Sequence, residues 1–267
     1  MSQYFAQQEV VHVEGDPRSL FSLEGKVALI TGGSRGLGRE MAIAFAQAGA
    51  DLVIASRKQE SCDEAAKEIE DLTGRTVFPY AAHVGRWEQV DELVEAAYER
   101  FGKIDVVVNN AGVSPTYEKI VDVSEKLWDA TQNVNLKGPF RLMALAGTKM
   151  AESGGGSIIN ISSVGSIHPS PTIIPYSAAK AGLNAMTIAF AHTFGPTVRV
   201  NCIMPGGFRT DISAAWDMET YNERTKLFAL KRVGEPHEIV GSALYLASDA
   251  SSYTTGAVFP VDGGIPT

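Results

Sequence analysis

Tyr176 and Lys180 stand one helical turn apart in Tyr176-Ser177-Ala178-Ala179-Lys180, so a helix there presents both on one side. A free phenol ionises at about pH 10, too high for proton exchange at neutral pH. An ammonium group beside it favours the phenolate and brings the pKa down, which equips Tyr176 to protonate a carbonyl oxygen or deprotonate an alcohol. The chain has eight tyrosines, and such a pair arises by chance often enough that it needs company.

A second stretch supplies company: Thr31-Gly32-Gly33-Ser34-Arg35-Gly36-Leu37-Gly38. It follows the apolar run Val27–Ile30 and leads into an amphipathic segment from Arg39 to Gly49, with Met41, Ala42, Phe45 and Ala46 at helical spacing. Strand, glycine turn and helix form the context in which a dinucleotide's pyrophosphate meets a helix N-terminus. A nucleoside triphosphate loop has the Gly33–Gly38 spacing but then requires Lys and Ser or Thr, where Arg39 and Glu40 stand.

In a dinucleotide-binding unit an acid about twenty residues past the glycines holds the adenosine ribose hydroxyls. The second apolar run ends instead in Ala55-Ser56-Arg57-Lys58, and Asp51 lies at its other end. Arg57 and Arg35 would attract a 2′-phosphate that a carboxylate would repel, and Ser56 could donate to it. The reading is NADP(H) over NAD(H), with solvated surface charges as the alternative. With such a cofactor, the positive ring of its oxidised form adds to the Lys180 charge beside Tyr176.

The elements that must position these residues alternate along the chain. Apolar runs at residues 27–30, 52–55, 76–82, 104–108, 158–161, 198–203 and 257–261 read as strands. Helices are expected over residues 39–49, 58–72, 86–101, 124–150, 176–194 and 236–246, with Ala65, Ala66, Ile69 and Leu72 inward in the second. Strands apolar on both faces and alternating with helices make a doubly wound α/β fold, a parallel sheet covered on both sides. Pro79 favours an edge position for the third strand. The division is an N-terminal extension, residues 1–21, and one domain, residues 22–267.

The chain has 267 residues, 45% hydrophobic and 20% charged, with a formal charge of −8. That charge argues against nucleic acid or an anionic membrane as partner. No apolar run reaches membrane-spanning length, and the N-terminus lacks a basic segment followed by an apolar one; a cytoplasmic protein is expected. Cys62 and Cys202, and His12, His168, His192 and His237, show no metal spacing; no metal is expected. His168 reads as a loop histidine, solvated or touching substrate.

From Gly25 to the C-terminus the chain resembles the short-chain dehydrogenases/reductases. The resemblance rests on several motifs in the family's order: Thr31-Gly32-x-x-x-Gly36-x-Gly38, Asn109-Asn110-Ala111-Gly112, Asn135, Ser163, Tyr176-x-x-x-Lys180, and Pro205-Gly206 followed by Thr210. It implies a single-domain Rossmann fold with a seven-stranded sheet in the order 3-2-1-4-5-6-7. It implies Ser163 as the hydroxyl that holds and polarises the substrate oxygen, and Tyr176 as the acid/base. Lys180 would bind the nicotinamide ribose as well as tune Tyr176, and Asn135 would hold a water linking Lys180 to solvent.

Around the cofactor it implies Gly32, Ser34, Arg35, Gly36, Leu37, Gly38, Ser56, Arg57, Val84, Asn110, Ala111, Gly112, Tyr176, Lys180, Pro205, Gly206, Phe208 and Thr210, the last two beside the nicotinamide carboxamide. Ser162 is the alternative hydroxyl, Asn135 could simply cap a helix irregularity, and Asn110-Ala111-Gly112 could be structural. Beside Val84 the family usually carries an Asp that contacts the adenine amino group. Here stands His83, whose imidazole could accept a hydrogen bond.

Residues 207–230 are expected to form a substrate lid carrying Phe208, Trp216, Met218, Tyr221 and Phe228. That lining suits a modest-sized ketone, aldehyde or secondary alcohol, with a 3-oxoacyl thioester and a sugar or polyol both open. The helix at 176–194 is apolar nearly all round and needs cover beyond its own sheet; the resemblance implies a homotetramer. A dinucleotide-binding sensor or scaffold without catalysis is the competing reading. The four chemical groups Asn135, Ser163, Tyr176 and Lys180, all intact, favour an enzyme.

Overall fold

The structure is a computed structural model describing residues 15–210 and 223–266. Among them seven strands form one parallel sheet: β1 (Val27–Thr31), β2 (Asp51–Ser56), β3 (Val77–Ala81), β4 (Val106–Asn109), β5 (Gly156–Ile161), β6 (Val198–Pro205) and β7 (Val258–Val261). Their order is β3-β2-β1-β4-β5-β6-β7, as the family resemblance implies. β3, with Pro79 opposite Ile54 of β2, is an edge strand.

The helices are α1 (Gly36–Gln47), α2 (Gln59–Thr73), α3 (Trp87–Phe101), α4 (Glu125–Gln132), α5 (Gly138–Glu152), α6 (Ile174–Phe194) and α7 (Val240–Ala247). Side chains alternate along each strand. Ala28 and Ile30 of β1 therefore join Met41 and Phe45 of α1, Ile69 of α2 and Leu246 of α7 in one buried cluster. Val27 and Leu29 face the other, with Leu93 of α3, Leu142 of α5 and Leu183 of α6. Both faces of the sheet are thus covered. After β1 the chain passes to β2 on one side, and it returns to β4 on the other. A crevice opens at that reversal, outside the carboxyl ends of the strands.

Two expectations need correction. Leu72 is 58% exposed, because it stands in the last turn of α2, just before the left-handed Gly74 cap. The helix expected over residues 124–150 is interrupted by one π turn, Asn133–Lys137, between α4 and α5. A π turn swells the helix locally. Here it puts Val134 and Asn135 inside and precedes Gly138, where a Cβ would stand 2.2 Å from the Val84 carbonyl oxygen.

Of the N-terminal extension, Gly15–Phe21 is described, with a short 3-10 turn at Pro17–Phe21; residues 1–14 lie outside the described residues. The same holds for residues 211–222, and so for Trp216, Met218 and Tyr221 of the expected lid. No helix among the described residues is long and apolar enough to cross a membrane.

Candidate active site

The glycine turn is built to bring backbone close to a ligand. Gly32 and Gly36 have φ of 66° and 55°, where side chains are strained. A Cβ on Gly38 would lie 2.2 Å from the Gly32 carbonyl oxygen, so only glycine lets α1 start this near β1. The cap position, Arg35, makes no side-chain capping bond to α1, whose first amides have no intrahelical acceptor. Those amides and the dipole end suit an anion. Leu37 is half-buried against the core, and Thr210 lies beside the turn, 3.8 Å from where a Gly36 Cβ would be.

Asn110 has a structural task. Its Nδ2 donates to the carbonyls of Thr31 (2.9 Å) and Gly32 (3.2 Å), while the Thr31 hydroxyl accepts the N–H groups of Asn110 and Ala111. The loop after β4 is thereby tied to the glycine turn. At the end of β2, the Ser34 hydroxyl bonds the Ser56 hydroxyl (2.9 Å), which joins the turn to exposed Arg57. Asp51 stays at the far end of β2, accepting the Thr76 N–H and pairing with Arg75.

Beyond Arg57 lies a cavity of about 640 Å³, lined in part by Arg57, His83, Arg86, Asn133 and Val134. His83 corrects an expectation. Its Nδ1 already accepts the Gly85 N–H (3.1 Å), so it is not the hydrogen-bond acceptor that imidazole was expected to supply there. Val84 is buried in the core.

The four candidate catalytic residues converge at the carboxyl end of the sheet from three stretches of chain: the π turn, the turn after β5, and α6. Ser163 follows β5; its half-buried hydroxyl accepts the Gly165 N–H (3.0 Å) and meets the Tyr176 phenol. Ser162 is set aside by geometry: it is buried and donates to the Lys180 backbone carbonyl. Tyr176 and Lys180 lie on α6. Lys180 is 3% exposed and donates its Nζ to the Ile161 carbonyl (2.7 Å), with the Tyr176 ring centroid 5.7 Å away.

Asn135, in the π turn, uses both Nδ2 hydrogens on the carbonyls of Val113 (2.8 Å) and Thr131 (2.9 Å). Its Oδ1 accepts the Val113 N–H (3.3 Å), which moors the helix to the chain beyond β4. Gly112 sits where a Cβ would be 3.0 Å from Asn135 Oδ1 and 3.7 Å from Lys180 Nζ, so this glycine keeps open the space between the two.

Burial reverses one expectation about ionisation. It pushes the Tyr176 phenol up from its ordinary value, with the Ser163 hydrogen bond opposing, and it pulls Lys180 down to about 8. Lys180 spends its ammonium on the Ile161 carbonyl, and in the chain by itself Tyr176 keeps its proton. A phenol that holds its proton is a hydrogen-bond donor, ready to act as an acid.

Behind Ser163 runs a chain of hydrogen bonds that the sequence reading did not include. The buried Cys202 thiol, raised to about 11 chiefly by burial, donates to Asn184 Oδ1 (3.6 Å). Asn184 Nδ2 donates to Ser166 Oγ (2.8 Å), which donates to the Ser163 carbonyl (2.6 Å). The signal was there, since Asn184 follows Lys180 by four residues on the same helix face.

Gly206 sits against Asp262, and its N–H donates to the Val261 carbonyl (3.0 Å), so Pro205-Gly206 also closes β6 onto β7. The Phe208 ring is buried against Gly234, with Phe228 also buried.

A family model described as enoyl-(acyl carrier protein) reductase matches residues 32–266. The 3-oxoacyl-(acyl-carrier-protein) reductase of Thermotoga maritima is 39% identical over 244 residues, 91% of this chain and 98% of its own length. The chain belongs to the short-chain dehydrogenase/reductase family. It is accordingly an oxidoreductase. Human dehydrogenase/reductase SDR family member 4 is 36% identical over 92% of this chain and 89% of its own length. Among solved structures, the NADPH-dependent 3-quinuclidinone reductase of Rhodotorula rubra superposes with a TM-score of 0.90 at 30% identity, covering 98% of each chain.

Proposed function

We propose that the protein is an NADP(H)-dependent carbonyl reductase that converts a ketone or aldehyde of modest size to the alcohol. The observation that carries the reading is a half-buried Tyr176 whose phenol meets Ser163 at the mouth of the sheet crevice, one helical turn from Lys180. The donor set fits a nicotinamide dinucleotide: a glycine cradle that a Cβ would fill, uncapped helix amides for the diphosphate, and Ser34, Ser56 and Arg57 at the ribose end. When bound, the reduced dinucleotide supplies the hydride. Ser163 and Tyr176 hold the substrate oxygen between two hydroxyls, and the Tyr176 proton passes to it as negative charge develops there. Lys180 returns the proton to Tyr176, with Asn135 and the space beside Gly112 as the route toward solvent.

The dehydrogenase or reductase names of the relatives support this reading, as does the NADPH dependence named for the Rhodotorula rubra protein. The cytoplasm is the proposed location. A homotetramer is the proposed assembly, since α6 leaves Ala178, Ala181, Ala185 and Ile188 exposed along one face, an apolar strip suited to a second copy.

The test is a panel of small ketones and aldehydes, 3-oxoacyl thioesters and sugars, scored by oxidation of NADPH. Turnover of at least one class is expected, and none with any class would overturn the reading. Cofactor choice has its own expected result. NADPH should bind more tightly than NADH, and Arg57→Ala should weaken NADPH about 10- to 100-fold while leaving NADH nearly unchanged. That range is what a charge-assisted contact is worth. Equal calorimetric affinities in the unmutated protein would overturn the 2′-phosphate assignment.

A further inference from the structure

The loop after β3 holds His83 in a single orientation. Its backbone N–H donates to Gln89 Oε1 (2.8 Å), and its carbonyl accepts the Arg86 N–H (2.8 Å). The ring folds back over Gly85, whose N–H donates to Nδ1. Gly85 permits this, because a Cβ there would lie 3.0 Å from Cε1 and 3.1 Å from Nδ1 of the ring. An imidazole nitrogen that accepts a hydrogen bond carries no proton, so the ring proton is on Nε2. With Nδ1 turned onto its own loop, Nε2–H is what His83 has left to offer the cavity it shares with Arg57 and Val134.

We propose that His83 presents a hydrogen-bond donor to the purine end of the dinucleotide, so that this chain binds a 6-oxo purine at least as well as a 6-amino purine. The inference rests on the proposed dinucleotide function and specifies what that site selects. A 6-amino group is itself a donor and gains nothing from Nε2–H; a 6-oxo group accepts from it. An aspartate at residue 83 would reverse the match. Its carboxylate can take the Gly85 N–H two residues on, as in an Asx turn, and still offer an acceptor to the purine.

The experiment compares calorimetric binding of NADPH and of its hypoxanthine counterpart, in which a 6-oxo group replaces the 6-amino group, to the unmutated protein and to His83→Asp. The two ligands carry the same charge, so any general effect of the added carboxylate cancels in their ratio. The unmutated protein is expected to bind the hypoxanthine form as tightly as NADPH or more so. His83→Asp should move the ratio about fivefold or more toward NADPH. A clear preference for NADPH in the unmutated protein would overturn the inference, and this arm decides alone if the variant does not fold. An unchanged ratio in a folded His83→Asp would overturn it too, leaving the proposed function standing. A protein that bound neither ligand would bring down both.

Discussion

Tyr176→Phe is expected to lower turnover about 10²- to 10⁴-fold, the span that one positioned acid/base contributes, while NADPH binds with nearly unchanged affinity. The substitution removes one oxygen and keeps the ring, so the packing of α6 against the end of β5 survives. What goes is the only hydroxyl at this position whose proton burial holds in place, together with the partner of Ser163. Ser163 still offers a hydroxyl to a substrate oxygen, but its own proton sits far higher on the pKa scale, and it is the Tyr176 ring that the Lys180 ammonium lies beside. The loss should therefore appear in kcat rather than in cofactor affinity. Steady-state rates with the best substrate of the panel, set beside calorimetric titration of NADPH, separate the two quantities. Turnover within threefold of the unmutated protein would remove Tyr176 from the mechanism.

How much of this was readable from sequence divides by the range of the interaction. Strand order, the edge position of Pro79 and the shared face of Tyr176 and Lys180 follow from apolar periodicity, proline chemistry, helical spacing and the family resemblance, and the structure agrees on each. The π turn at Asn133–Lys137 was not readable. Apolar spacing in a continuous helix barely distinguishes an inserted residue, and what holds Asn135 is the Val113 backbone, far from it in sequence. Leu72 was misplaced for a related reason: helical periodicity put it inward, but it stands in the last turn of α2, just before the left-handed Gly74 cap, where it is left exposed.

The Tyr176–Lys180 pair shows the same limit in its charges. Spacing put an ammonium beside a phenol, but burial, which spacing does not report, moves both groups toward their neutral forms. His83 is the subtler instance. Its identity was plain, yet whether it donates or accepts depends on where the Gly85 amide points.

Lys180→Met is expected to abolish most activity, about 10²-fold or more, without lowering stability at pH 7. Burial holds the Lys180 pKa at about 8 against 10.5 for the free side chain, and each unit is worth about 1.4 kcal/mol, so the charged form carries a penalty of about 3 kcal/mol in the folded protein. Below pH 8 the lysine is charged in both the folded and the unfolded chain, and the penalty is present in full. Between 8 and 10.5 the unfolded chain binds more protons than the folded one, so stability rises with pH; above 10.5 the penalty is gone. Methionine matches the unbranched stem and has no charge to desolvate, but it leaves the Ile161 carbonyl without its donor, which costs about 1–3 kcal/mol. The two effects roughly cancel at pH 7. At about pH 11 only the loss remains, and the unmutated protein should be the more stable by about 1–3 kcal/mol. Chemical denaturation of both proteins at the two pH values reads that difference directly. If the gap were the same at both, Lys180 would not be a charge held against its own burial. It would then have no strained ammonium with which to return a proton to Tyr176.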